Sequence, residues 1–416
     1  MRILKLELKR ILTTRTTWIL LGIALILSVC MAYIPTTFYA SEYTDENGNQ
    51  VKLSGLKAFQ YQKSQKAGLE GEVTPKKVRD ALEAYQNCLN EYGVKDTYDL
   101  PEGVYGERIA PYTPLIHGLK EAFADPKTGM APTLMEIDPE KAEDFYSKCD
   151  ERIVTLMEAE QRDHPAAQEK AVSMYHKVER PFTFYLAGSD SNRMDYQLLL
   201  SFMILLFCTV IAAPVFSSEY QTGADDILRC TKHGRGRLGM LKIVSAMCIC
   251  GTAFALCSAV YIIVSNCLFG WEAVRTSIQM IFSAMNLADM NMGQLQTATA
   301  LAGLLCVLAS VSLTLFLSSR TKNMVMSIAV SLLFCFLPVI IYVAIPNDLG
   351  TWLNCIIPTG GLGMQSSFLY AMADFEFLNV GDFVVWTPYA YLFFEAVAIP
   401  VLIGLTIHSY STHKIK

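Results

Sequence analysis

The sequence predicts an all-α polytopic membrane protein with six spans. Three observations carry this. Apolar runs of about twenty residues, the length that crosses a bilayer as a helix, recur six times. The chain of 416 residues is 52% hydrophobic, with a mean hydropathy of +0.31. Its basic residues crowd into alternate connections, as loop charge does when it sets orientation. The net charge of −5 sums two opposite populations and gives no concentrated basic face for nucleic acid.

Residues 1–16 open with an amphipathic helix. Leu4, Leu8, Ile11 and Leu12 share a face, while Arg2, Lys5, Lys9 and Arg10 lie off it. That pattern suits a helix in the headgroup layer, its cations meeting anionic lipid. Residues 17–35 form the first span. They are too long for a signal-peptide core, and Phe38 stands where cleavage before Ser41 needs a small residue. Val29 likewise spoils the lipoprotein-like Leu27-Ser28-Val29-Cys30.

Residues 36–195 form a polar, domain-sized insert with 28 acidic and 19 basic residues, a balance of −9. It is expected to be mostly helical. Thr74-Pro75 opens one helix, with Val78, Leu82, Tyr85 and Leu89 at helical spacing and Gly93 as its stop. Asp138-Pro139 opens another, with Phe145, Cys149, Ile153 and Leu156 on one stripe. The Gly- and Pro-rich stretch 103–132 reads as loop. Cys88 and Cys149, the two cysteines of the insert, sit one on each helix. They are candidates for a bridge, with two packed free thiols the equal alternative.

Five more spans follow, at residues 196–215, 243–267, 297–317, 324–345 and 389–408. Pro214, Pro338 and Pro400 are expected to kink or end their helices. With the amino terminus inside, the inner segments (216–242, 318–323 and the tail 409–416 included) carry Arg2, Lys5, Lys9, Arg10, Arg15, Arg229, Lys232, Arg235, Arg237, Lys242, Arg320, Lys322, Lys414 and Lys416. The two shorter outer segments carry Arg275 alone. The positive-inside rule then places both termini in the cytoplasm and the insert outside, in a plasma membrane. Residues 268–296 make an outer loop. The outer segment 346–388 has two apolar pieces too short to span, around Pro358-Thr359-Gly360-Gly361, and is expected to hold re-entrant or interfacial helices.

The segment 216–242 is the part most loaded with chemistry. Phe216, Tyr220, Ala224, Ile227 and Leu228 fall on one face of a single amphipathic helix. Glu219, Asp225 and Asp226 come early, and a basic, Gly-punctuated turn follows. Glu219 is expected to pair with a basic residue of the amino-terminal helix. Within the spans Glu395 is the costliest residue. Intramembrane acids face the bundle or a water-filled path, so it is the candidate for the translocation path, with an interhelical hydrogen bond the simpler role.

No GxxxxGK[ST], GxSxG, HExxH or kinase set occurs, so phosphoryl or hydrolytic chemistry is not expected of this chain. No paired CxxC or histidine cluster suggests a metal.

Phe216-Ser217-Ser218-Glu219-Tyr220-Gln221-Thr222-Gly223, then Leu228, Thr231, His233-Gly234-Arg235 and Lys242-Ile243, resembles the loop after the second span in type-2 ABC exporter permeases. The six-span plan, the amino-terminal helix and the broken segment before the last span also match. The resemblance implies a permease without ATP chemistry of its own. ATP and Mg would sit on a separate nucleotide-binding subunit, and a second permease copy or a sister permease would complete the pathway. Glu219, Tyr220, Gly223, Asp225, Asp226, Leu228, Arg235 and Lys242 would form the ATPase-coupling element, with residues 219–230 as the coupling helix and Arg235, Arg237 and Lys242 at the inner leaflet. The cargo would be peptide or lipid-like, an acidic outer domain favouring cationic peptides. The competing reading is a membrane sensor or scaffold whose outer domain binds a ligand and signals through the inner loop. An ion-coupled carrier is disfavoured by the scarcity of intramembrane charge.

Overall fold

The computed structural model describes residues 2–44, 50–101, 103–230, 234–381 and 383–412. Thr231, Lys232 and His233 of the inner loop, and Lys414 and Lys416 of the tail, lie outside them. The chain is an all-α polytopic bundle, with three small two-stranded sheets among the described residues. Among the described residues six helices are long and apolar enough to cross a membrane: Arg15–Phe38, Asn192–Thr222, Gly236–Phe269, Met292–Arg320, Met324–Ala344 and Thr387–Thr412. We number them as spans one to six.

The second and fourth spans sit centrally. The fourth touches the second, third, fifth and sixth, and its buried positions include Ala302, Gly303, Ala309, Ser310 and Ser312. Small side chains let helices approach closely where no hydrophobic drive separates helix from lipid. At Gly303 a Cβ would strike the Phe254 ring of the third span. The outer spans turn apolar side chains away from the bundle: Trp18 and Ile26 on the first, Val343 on the fifth, Phe393 and Val401 on the sixth.

Several boundaries differ from the sequence reading. The third span is 34 residues long and starts at Gly236, so Lys242 lies inside it rather than opening it. The second starts at Asn192 and takes Arg193 and Asp195 from the predicted insert. Pro214 does break the second span: one helix ends at Ala212 and the next, Pro214–Thr222, starts with the proline in its first turn. Pro338 and Pro400 do not end their helices.

The insert is mostly helical, as expected. Thr74 Oγ1 caps helix Pro75–Tyr92 by accepting from Lys77 N, and Gly93 closes it in the left-handed region at φ 65°. Pro139–Asp144 is a 3-10 turn leading into Phe145–Glu160, whose stripe Phe145, Cys149 and Ile153 is buried. The predicted loop 103–132 instead contains helix Thr113–Ala122. Its proline sits in the first turn, where the missing N–H costs nothing, and Leu115, Ile116 and Leu119 bury one face. Hairpin Ala40–Thr44/Gln50–Ser54 precedes the helices. Cys88 and Cys149 are free, buried thiols.

The insert is tied to the segments between spans. Tyr175 donates to Ala284 O at 2.9 Å, and Glu121 accepts from Ala284 N at 2.7 Å. Those bonds hold the 268–296 segment, which is packed rather than open: Ile278, Met285 and Leu287 are buried. Gln161 Nε2 donates to Phe375 O at 3.0 Å, joining the insert to the segment before the sixth span. That segment holds helices Asp348–Ile356 and Phe368–Ala373 and an unforeseen hairpin, Phe377–Val380 with Phe383–Trp386. Between its helices the glycines are required. A Cβ on Gly360 would overlap the Asn354 carbonyl, and one on Gly361 the Glu395 carboxylate.

Candidate functional site

At the end of the bundle opposite the insert, three elements meet: the amino-terminal helix Arg2–Leu12, helix Pro214–Thr222 and the start of the third span. Glu219 is their hub. Its Oε1 accepts from both Arg10 Nη1 and Lys242 Nζ. Glu7 closes the group, 3.2 Å from Arg10 and 3.6 Å from Lys242. Two acids balance two bases. The Lys242 side chain is 0% exposed and that of Glu219 6%. Charges this deep persist only when paired, and losing one partner leaves the other uncompensated.

The expected pairing of Glu219 with the amino-terminal helix is therefore present, through Arg10. Two expectations are corrected. Arg10 turns into the bundle instead of meeting lipid, because Glu7, Arg10 and Ile11 share an inward face at i, i+3, i+4. Lys242 is buried on Glu219 and cannot hold a turn at the leaflet, because the third span begins seven residues earlier than expected. Sequence reading missed Glu7. Its signal was an isolated acid in an otherwise basic helix.

The break at Pro214 is sealed by hydroxyls. Ser318 Oγ of the fourth span accepts from Phe216 N and Ser217 N, each at 3.1 Å, and donates to Ala213 O at 2.6 Å. Ser327 Oγ of the fifth span donates to the same carbonyl at 3.0 Å. Backbone groups freed by a proline at membrane depth need such partners. Phe216 packs on Tyr410 of the sixth span, ring centroids 5.1 Å apart. Helix Pro214–Thr222 is thus anchored to the amino-terminal helix and to the third, fourth, fifth and sixth spans.

The predicted single amphipathic helix is two. Gly223, at φ 71°, ends the first, and Ala224–Arg229 is a separate short helix. The left-handed residue re-aims the second helix, so the apolar stripe does not carry through. Phe216 is buried, yet Ile227 is 76% exposed. Asp225 is buried, whereas Asp226 is exposed, so only Asp226 and Ile227 of this pair of patterns are presented outward. Arg235 and Arg237 are exposed at the start of the third span. Tyr220 and Leu228 are partly buried.

At the insert end, Arg193 is fully buried, a residue the sequence reading left in the insert. Nε donates to Ser265 Oγ at 3.2 Å, Nη1 to Ala187 O at 3.1 Å, and Nη2 to Asn266 Oδ1. The guanidinium also lies 4.8 Å from the Phe269 ring centroid. It clamps the second span to the third. Glu395 is 1% exposed and accepts from Gly361 N at 3.1 Å, which pins the broken segment to the sixth span.

Among the described residues no cluster of three or more His, Cys, Asp or Glu side chains is placed to hold a metal ion. The site joins helices and offers an exposed tip.

No curated protein matches this chain. A family model described as ABC-2 family transporter protein matches residues 1–400. Such a chain is a multi-pass membrane protein, the permease subunit of an ABC transporter, and works with a partner ATPase subunit. By that match across nearly its whole length, the chain belongs to the ABC-2 family of transporter proteins.

Proposed function

We propose that this permease is the membrane-embedded half of an ATP-driven exporter in the plasma membrane. Both termini and the 216–242 loop are cytoplasmic and the insert is extracellular. ATP and Mg bind to the partner subunit, and this chain holds no cofactor. Two copies, or one copy and a sister permease, enclose the path.

The observation that carries this reading is the ion cluster on Glu219. A push on an exposed loop does nothing unless the loop is stiffly joined to the spans. Glu219 joins helix Pro214–Thr222 to the amino-terminal helix and the third span by charge, with Glu219 and Lys242 buried from water, where such pairs are electrostatically stronger. Ile227 and Asp226, at the exposed tip beyond Gly223, give the ATPase an apolar knob and an anion. Nucleotide-driven closure of the ATPases then shifts the bundle between two packings, and differential contact at this tip biases the two. Tyr220, Gly223, Asp225 and Leu228 shape the tip, and Arg235 with Arg237 meets the anionic inner leaflet.

The test uses Cys230, an exposed thiol beside the tip. In right-side-out cells a membrane-impermeant maleimide is expected to spare Cys230, and in inverted vesicles to label it. Co-expression with the partner ATPase is expected to protect it, and Ile227→Asp to remove that protection and ATP-driven transport together. Labelling of Cys230 from the outside of intact cells would overturn the reading.

A further inference from the structure

A cavity of about 760 Å³ opens where the insert, the helix Asp348–Ile356 and the strand-bearing segment before the sixth span meet. Its wall is rich in acids from three separate elements. Glu160 and Asp163 come from the insert, Asp348 from the short helix, and Asp374 with Glu376 from the segment that follows. Among the described residues none of these five makes an ion pair. Arg162 and His164 are the basic side chains on the wall.

Ordinary structural reasons account for part of this. Asp348 stands in the first turn of a helix, where an anion is favoured. Glu160 is the last residue of its helix, where an anion is disfavoured. Asp374 and Glu376 reach the solvent of the cavity, yet the enclosing protein raises both carboxyls above the usual range. Glu160 adds to the effect on Asp374, and Asp374 and Asp348 add to that on Glu376. The fold holds these acids near one another with none of them in an ion pair among the described residues.

A second, independent feature is on the floor. Asn354 is 2% exposed and Ser367 0%, and both line the cavity. Asn354 Oδ1 and Ser367 Oγ lack a hydrogen-bond partner. Buried polar atoms are rarely left so without a ligand or water to meet them. With five carboxylates on the wall and an unpartnered amide oxygen buried just behind it, the cavity is surrounded by acceptors. Its complement is a donor-rich cation. The acids are too dispersed to hold a metal ion among the described residues, whereas a chain of ammonium groups reaches several of them. Phe375, Phe377 and Tyr342 add apolar surface for methylene links.

We propose that this cavity binds an organic polycation bearing primary ammonium groups. The shared chemistry is the amine, whether on a free polyamine or on the lysines of a peptide. Binding needs neither nucleotide nor the partner ATPase. The proposal rests on the transport reading only in taking the ligand as cargo, so absent binding would sink it and leave that reading standing.

The test is calorimetry on the full-length protein in lipid nanodiscs, with spermidine, tetralysine and their N-acetylated forms as probes. Spermidine, tetralysine or both are expected to saturate one site. Spermidine alone identifies the free amine as the source, and tetralysine alone the peptide. Asp374→Asn with Glu376→Gln is expected to weaken binding about tenfold, as loss of charge-assisted bonds does. Glu160→Gln with Asp163→Asn removes one anion from a helix C-terminus, which disfavours it, and one ahead of the next helix's N-cap, so the two effects on the helices oppose. This pair keeps the fold and is expected to weaken binding about fivefold. The remote pair Glu140→Gln with Asp99→Asn, neither of which lines the cavity, is expected to bind as the unmodified protein does. No saturable binding, equal affinity for the acetylated probes, or an equal loss in the remote pair would overturn the proposal.

Discussion

Lys242 and Glu219 form an ion pair across 23 residues of sequence, with the lysine side chain wholly buried. The pair makes one mechanical unit of helix Pro214–Thr222 and the third span. Lys242→Met should strand Glu219 beside Arg10 alone, at a cost of about 3–5 kcal/mol for a broken buried pair. Adding Glu219→Gln should recover much of that loss, because a neutral pair strands no charge. Thermal unfolding in detergent reads the stability. ATPase stimulation should remain low in both variants, since the double variant restores the fold without the charged joint. Full stimulation in the double variant would show the joint to be structural only.

Gly223 separates two helices by adopting φ 71°. No atom lies within 4 Å of where its Cβ would be, so strain there is a backbone matter alone. Gly223→Ala should cost about 1 kcal/mol, and Gly223→Asn less, because asparagine tolerates the left-handed region. Either change should loosen the direction of the Ala224–Arg229 tip without disturbing the spans. The expected result is weaker ATPase association with an almost unchanged unfolding midpoint.

The spans were legible because lipid demands long apolar helices, and a run such as 324–345 admits few other readings. The capped insert helix Pro75–Tyr92 was legible for a different reason: Thr74, Pro75 and Gly93 each satisfy a local backbone need. The site was half legible. Glu219 stood out as an acid between apolar runs, and a cation from the amino-terminal helix was its natural partner. What local pattern does not carry is the path of the chain after Gly223, one left-handed residue being enough to turn Ile227 outward. Nor does it carry a long-range meeting such as Glu7 with Lys242. Arg193 was hidden because an arginine beside a polar insert reads as loop. Only the tertiary arrangement of Ser265, Asn266 and Ala187 makes it a buried clamp. The cavity acids were invisible for the same reason, since they come from segments far apart in sequence.

Cys149 is packed beside Tyr175, and burial pushes its thiol up to about 12. The thiolate is the reactive form, so Cys149 should resist alkylation at neutral pH in the folded protein. Cys88, 1% exposed, should resist through lack of access. Maleimide mass-tagging under non-reducing conditions should modify both only after denaturation, with no prior reduction needed. A requirement for reductant would reveal a bridge.

Glu395 accepts one hydrogen bond from the Gly361 backbone, and glutamine offers an oxygen to the same donor. Glu395→Gln should therefore keep expression and transport near normal. Gly361→Ala should be far worse, because its Cβ would collide with the Glu395 carboxylate. Glu395→Ala should relieve that collision, so the double variant should unfold at a higher temperature than Gly361→Ala alone. Lost transport in Glu395→Gln at normal expression would instead place this carboxylate on the path of the cargo.

Binding of an amine in the insert-side cavity should release protons. The carboxyls of Asp374 and Glu376 are raised by enclosure and by neighbouring acids. A raised carboxyl favours the protonated folded form. That contribution to stability is complete at low pH and is lost as pH rises through the folded value. A bound ammonium favours the ionised acids and drives the protons off. Glu160, Arg162, Asp163, His164 and Asp348 also face the cavity, so His164→Asn serves to remove the imidazole's own contribution. Spermidine titrations in buffers of differing ionisation enthalpy should show net proton release between the ordinary carboxylate range and the raised folded values. Release should vanish at higher pH, where both acids are already ionised, and in Asp374→Asn with Glu376→Gln. Proton uptake on binding, or release unchanged in that double variant, would mean that the ammonium sits elsewhere.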